Sequence, residues 1–166
     1  ATIVSISIAD NAAMVLNAGL PDTLIFDGLK GRIKQKIQST HPPLGIVPDL
    51  LPNTTFSIIS LMPSDHIVLA SDGVLEARNV KGDLFGEARF ERACIKGIKE
   101  AKVTELITER IELFSRGRGQ EDDISVVHVP YSALLEQQKK VEVPEKESKI
   151  ELSDLEKTVN FGSLQW

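Results

Sequence analysis

Two groups of carboxylates sit at the edges of apolar runs. Asp72 follows Ile67-Val68-Leu69-Ala70, with Gly73 directly after it. Glu121-Asp122-Asp123 precedes the run Ile124 to Val129. If the two runs are neighbouring antiparallel strands, the end of one lies beside the start of the other. Asp72 and Asp122 then converge on one rim of a sheet. Adjacent carboxylates repel, and a cation is the usual remedy. Hard divalent ions such as Mg²⁺ and Mn²⁺ take oxygen ligands and keep several waters. Gly73 lets the backbone turn sharply beside them and leaves room for those waters. Ser71-Asp72-Gly73 is equally an ordinary turn sequence, and Glu121-Asp122-Asp123 an ordinary solvated loop. On spacing alone the turn and the solvated loop are the readings to favour, because such tripeptides are common.

The elements that must position these residues are legible from periodicity. Thr2 to Ile8 alternates as a half-buried strand does. Met14 to Leu16, Thr23 to Phe26, Ile33 to Ile37, Thr54 to Leu61 and His66 to Ala70 are further expected strands. Asp10-Asn11, Asp27-Gly28 and Pro63-Ser64-Asp65 are turn signals between them, and His41-Pro42-Pro43-Leu44-Gly45-Ile46 is a loop. The period then becomes helical. Phe90, Cys94, Gly97, Ile98 and Ala101 share one face; Val103, Leu106, Ile107, Ile111 and Phe114 form a second stripe. Lys102 marks the break, and Arg116-Gly117-Arg118-Gly119 ends the second helix. Ile124 to Val129 is the last strand, stopped by Pro130.

Composition excludes several classes. The chain has 166 residues and a net charge of −5, with no basic field for nucleic acid. The single cysteine, Cys94, forbids an intrachain disulfide and agrees with a reducing compartment. No apolar run has the length of a membrane span, and no signal peptide is visible. A cytoplasmic protein is expected. The chain opens without Met inside an expected strand, so a piece of something longer is expected. Residues 1–130 are read as a domain and 131–157 as a charged linker, partly helical around Leu134 to Lys140. The alternating stretch 158–166 is read as the start of a further domain.

Four segments together carry a resemblance. "LASDGVLEARNVKGDLFGEARF" and, later, "GQEDDISVVHV" resemble the second half of a bacterial metal-dependent serine/threonine phosphatase domain. The branch is the type 2C-like one that includes sporulation and stress-response sigma-factor regulators. "VLNAGLPDTLIFDG" and "HPPLGIVPD" are similar to two further segments of that family, in the same order. The four span about Ala1 to Pro130.

The resemblance implies an α+β fold, a layered α/β/β/α sandwich. It implies a pair of Mn²⁺ or Mg²⁺ ions held in part by Asp72 and Asp122, with Asp123 as neighbour and Gly73 supplying backbone space. The reaction it implies is hydrolysis of phosphoserine or phosphothreonine by metal-activated water. The implied substrate is a phosphorylated regulatory protein, such as an anti-sigma-factor antagonist, in bacterial signal transduction. A degenerate domain that docks proteins in a response-regulator or sigma-factor partner switch is the alternative. Other domains of a parent chain and further copies of this chain are the remaining expected partners.

Two departures bear on this. The family carries a further metal-binding aspartate in a glycine-rich motif upstream of the segment like Thr2 to Ile8, and no such motif stands here. About the first half of the domain is therefore expected to be missing, leaving this stretch inactive alone. The family also has His and Pro after Asn-Ala-Gly, where this chain has Leu20 and Pro21. His66 and His128 lie at no metal-ligand spacing and are read as satisfied or edge histidines. Cys94 is read as packing. Arg116 and Arg118 could attract phosphate or favour a helix C-terminus, and Glu76 and Arg78 could support the metal or pair at the surface.

Overall fold

The computed structural model describes residues 1–46, 55–119 and 122–141. Most of the expected linker and all of the expected further domain at 158–166 lie outside the described residues. Two compact units are distinguished, Ala1–Leu135 and Glu136–Trp166. Of the second, only the last turns of a helix are described.

Seven strands and four helices follow in the order β1 (Thr2–Ser7), β2 (Ala12–Asn17), β3 (Thr23–Asp27), β4 (Arg32–Ile37), β5 (Ser57–Ser60), β6 (Asp65–Ala70), α1 (Asp72–Glu76), α2 (Gly86–Glu100), α3 (Val103–Phe114), β7 (Val126–Pro130) and α4 (Tyr131–Val141). The strands form two antiparallel sheets, ordered β1-β2-β5 and β4-β3-β6-β7. The expected strands are present; β5 is shorter than the apolar run around it, and β7 starts two residues later than Ile124.

The larger sheet is apolar on both faces because its central strands send alternate residues into two cores. Leu24, Phe26, Val68 and Ala70 join α2 and α3 through Phe90, Cys94, Val103, Leu106, Ile107 and Ile111. Ile25, Ile37 and Ile67 instead meet Ala13, Val15 and Ile59 of the smaller sheet. A strand buried on both sides reads as a continuous apolar run, and β3 and β6 do. The result is three stacked layers among the described residues: small sheet, large sheet, helices. The expected layered α+β architecture is therefore present.

The helical pair is close. A Cβ on Gly97 would lie 2.6 Å from the Cα of Val103, so α2 and α3 touch backbone to backbone beside their turn. Ala101, expected on the apolar face of α2, instead takes the left-handed conformation (φ 54°) that ends the helix and is exposed. Cys94 is buried, and burial pushes its thiol up to about 12, so it is packing.

Pro130 closes β7 and the chain turns at once into α4. Tyr131 is fully buried between the sheets, with Leu134 and Leu135 packed behind it. Its hydroxyl donates to Asn11 Oδ1 at 2.9 Å, fastening the start of α4 to the β1–β2 turn. The loop at His41 bridges Ala18, and a Cβ on Gly19 would meet Pro43 at 2.4 Å. The Asn17-Ala-Gly and His41-Pro-Pro segments are thus docked on one another.

Candidate metal centre

β6 and β7 are antiparallel neighbours, with Ala70 opposite Val126. The ladder continues one step beyond: Ser71 N–H donates to the Ser125 carbonyl at 2.9 Å. The Ser71 hydroxyl then donates to the Asp123 carbonyl and accepts from Ser125 N–H, both at 3.0 Å. One small side chain therefore ties the exit of β6 to the acidic entry of β7.

The chain after Ser71 does not simply turn. Asp72 opens the five-residue helix α1, with Gly73 and Val74 buried. Gly73 lies directly against the acidic segment: a Cβ there would meet the Asp123 carbonyl oxygen at 2.4 Å and Asp122 Cβ at 3.5 Å. Only a residue without a side chain allows that approach. Each aspartate also has one carboxylate oxygen set by the next amide. Gly73 N–H donates to Asp72 Oδ1 at 3.1 Å, and Asp123 N–H to Asp122 Oδ1 at 2.7 Å. Asp72, Asp122 and Asp123 are all exposed at this rim. A hard divalent cation suits such a donor set, which is all oxygen, negatively charged and open to water. Among the described residues, no three His, Cys, Asp or Glu side chains form a metal-holding group by themselves.

A cleft of about 520 Å³ adjoins the rim, lined by Gly73, Arg78, Ile111, Arg116, Asp122 and Ile124 among others. Arg116 faces it from the turn after α3, which ends at Phe114, before the glycines. Arg78 is engaged locally, donating to the Gly82 carbonyl at 3.0 Å, and forms no ion pair with Glu76. Arg118 donates to the Asn79 carbonyl at 3.4 Å.

The two strand histidines satisfy each other. His66 Nδ1 and His128 Nε2 are 2.9 Å apart, and the rings stack at 5.2 Å. Burial holds both below the usual histidine range, with the neighbouring imidazole adding to the effect at His128. Asp65 opposes the shift at His66, and Glu105 at His128. Asp65 itself is buried and paired with Lys34 at 2.5 Å.

Ser71 is the residue that sequence reasoning missed. Its partners lie 52 and 54 positions away, so no local pattern announces it.

The family model of stage II sporulation protein E (SpoIIE) matches residues 1–131. The chain belongs to the SpoIIE family. Protein IcfG of Synechocystis sp. (strain ATCC 27184 / PCC 6803 / Kazusa) is 28% identical to this SpoIIE-family chain over 127 residues, which is 75% of this chain and 19% of IcfG. The SiaA-PP2C domain of Pseudomonas aeruginosa superposes with a TM-score of 0.66 at 16% identity, over 78% of this chain and 50% of that one. The Mn-presoaked phosphatase domain of the cell fate determinant SpoIIE from Bacillus subtilis gives 0.58 at 20% identity, over 78% and 55%. The SpoIIE-family chain thus has the fold of PP2C phosphatase domains. It spans less than a fifth of IcfG and about half of the two solved chains.

Proposed function

We propose that the chain is the C-terminal portion of a metal-dependent serine/threonine protein phosphatase domain, with Asp72 and Asp122 as ligands to Mn²⁺ or Mg²⁺ and Asp123 beside them. The observation that carries this reading is the contact of Gly73 with Asp122 and Asp123. It brings two acidic segments, fifty residues apart in sequence, to one exposed rim.

When bound, a metal pair supplies a water of lowered pKa and neutralises phosphoryl oxygens. The chain's own residues hold and aim that site. The Gly73 and Asp123 amides fix one oxygen of Asp72 and of Asp122, and so orient both carboxylates at the rim. The Ser71 hydroxyl keeps α1 and the acidic entry of β7 in register. Arg116, at the neighbouring cleft, is placed to attract a phosphorylated or acidic substrate segment. No nucleophilic side chain is required.

The substrate is a phosphorylated regulatory protein such as an anti-sigma-factor antagonist, and the setting is cytoplasmic signalling. No helix among the described residues is long and apolar enough to cross a membrane. Residues 1–166 alone lack the upstream aspartate that the resemblance calls for and are inactive without the rest of the domain.

Calorimetric Mn²⁺ titration of the full-length protein tests the assignment. Asp72→Asn and Asp122→Asn are each expected to weaken binding by about tenfold or more, with hydrolysis of a phosphoserine peptide lost in parallel. Unchanged Mn²⁺ affinity in both variants would sink it.

A further inference from the structure

On the solvent side of the helical layer, α2 and α3 enclose a second groove of about 520 Å³. Its character differs from that of the acidic rim. Its charged lining is Arg89, Arg92, Lys96 and Arg110, all basic, in a chain of net charge −5. The first three recur on one face of α2, and Arg110 comes from the facing stripe of α3.

The cations are not neutralised by the fold. Among the described residues, Arg92 and Arg110 form no ion pair, and Lys96 meets only Glu100 at 3.6 Å, in a half-exposed pair of the kind that contributes little. Arg89 is set in place. Its guanidinium lies 4.7 Å above the Phe114 ring and donates to the Leu84 and Phe85 carbonyls, each at 3.1 Å. Phe114 is in turn braced edge-on by Phe85 at 5.5 Å. Among these cations Leu113 is 53% exposed. The close approach of α2 and α3 at Gly97 makes the groove a built feature rather than a loose cleft.

We propose that this groove docks an acidic, amphipathic segment of a partner protein. Carboxylates of the segment meet the four cations, and one large apolar side chain covers Leu113 and the edge of Phe114. Charge complementarity selects the partner: a carboxylate-bearing ligand relieves the mutual repulsion of four like charges held in one groove. The apolar floor adds a requirement that a simple polyanion does not meet. Nucleic acid is the poorer match, because phosphate binding draws on an extended basic track and the basic lining here is confined to one groove of an acidic chain. This docking surface stands on its own residues and does not depend on the phosphatase reading.

The probe is a fluorescein-labelled peptide of glutamates with leucines at helical spacing, read by fluorescence anisotropy on the full-length protein at low salt. The double reversal Arg92→Glu/Arg110→Glu is expected to weaken binding by about tenfold or more. It should also create binding of the matching lysine–leucine peptide. Leu113→Ser is expected to weaken the original peptide by about fivefold, and an all-glutamate peptide should bind the native protein correspondingly less well. Hydrolysis of a small phosphate ester should not change in any of these variants. If the reversal lowers the melting temperature, Arg92→Gln/Arg110→Gln serves instead, with a smaller loss expected. No binding by the native protein, or native affinity in the charge variants, would overturn the proposal. So would an oligonucleotide of equal charge that displaces the peptide as well as unlabelled peptide does.

Discussion

The two sheets are built from similar residues but differ in how they are covered. The β4-β3-β6-β7 sheet is sandwiched, with Ile25 and Ile67 facing one core and Phe26 and Val68 the other. Among the described residues, the β1-β2-β5 sheet is covered on one face only; Val4, Ala13, Val15 and Ile59 point inward, while Ile3, Met14 and Ile58 are exposed on the other side. The acidic rim belongs to the sandwiched sheet. Its two strands cannot slip without moving residues out of two cores at once, so the carboxylates they carry are held by the most constrained part of the molecule.

The sharpest way to break this contrast is Ile67→Ala. Ile67 is fully buried at the centre of the sandwiched sheet, and its truncation should cost about 2–5 kcal/mol by chemical denaturation. A loss comparable to that of a surface change would mean that this sheet is not the constrained one.

Gly73→Ala comes next. The added methyl meets a backbone oxygen at 2.4 Å, and neither chain segment can yield without disturbing the rim. A stability loss of about 1–3 kcal/mol is expected, with weaker Mn²⁺ binding in the same titration as above. Unaltered stability and Mn²⁺ affinity would show the contact to be dispensable.

The histidine pair gives a graded effect. Both rings titrate below the usual range in the folded chain, so at neutral pH they are mainly uncharged whether the chain is folded or not. As pH falls below about 6.5 the unfolded chain takes up protons first. Stability present above that pH is then lost on the way down through the folded values. Double replacement His66→Gln/His128→Gln should flatten the difference between melting at pH 7 and pH 5. Equal pH slopes in the two proteins would remove the pair from this account.

The smallest effect belongs to the open face. Ile58 is 77% exposed, and Ile58→Ser should change stability by no more than about 0.5 kcal/mol. A much larger loss in the full-length protein would reveal that another segment or copy covers this face.

Much of the scaffold was legible because burial writes itself into periodicity. Thr2 to Ile8 alternates since one face of β1 is open, and β3 reads as an apolar run since both its faces are closed. The meeting of Asp72 with Asp122 was legible only conditionally, through the pairing of two apolar runs. α1 was not legible, since five residues including a glycine are too few to display a helical period. Ser71 was invisible for a different reason: its hydroxyl completes a contact whose other half is made much later in the chain. The basic groove fell between these cases. Arg89, Arg92 and Lys96 have helical spacing, but Arg110 joins them only once α3 packs on α2.

Strand order also has a consequence in time. Among the described residues, β7 is both the last strand in sequence and the outermost of its sheet, paired with β6 alone. On the ribosome, β6 emerges with α1 well before its neighbour exists. Until residues 126–130 arrive, a strand that is apolar on both faces stands as an open edge, able to recruit a strand from another nascent chain. Closing that edge and assembling the acidic rim are one event. A chain interrupted before Asp122 would therefore fail as an aggregate rather than persist as a folded protein merely lacking its carboxylates.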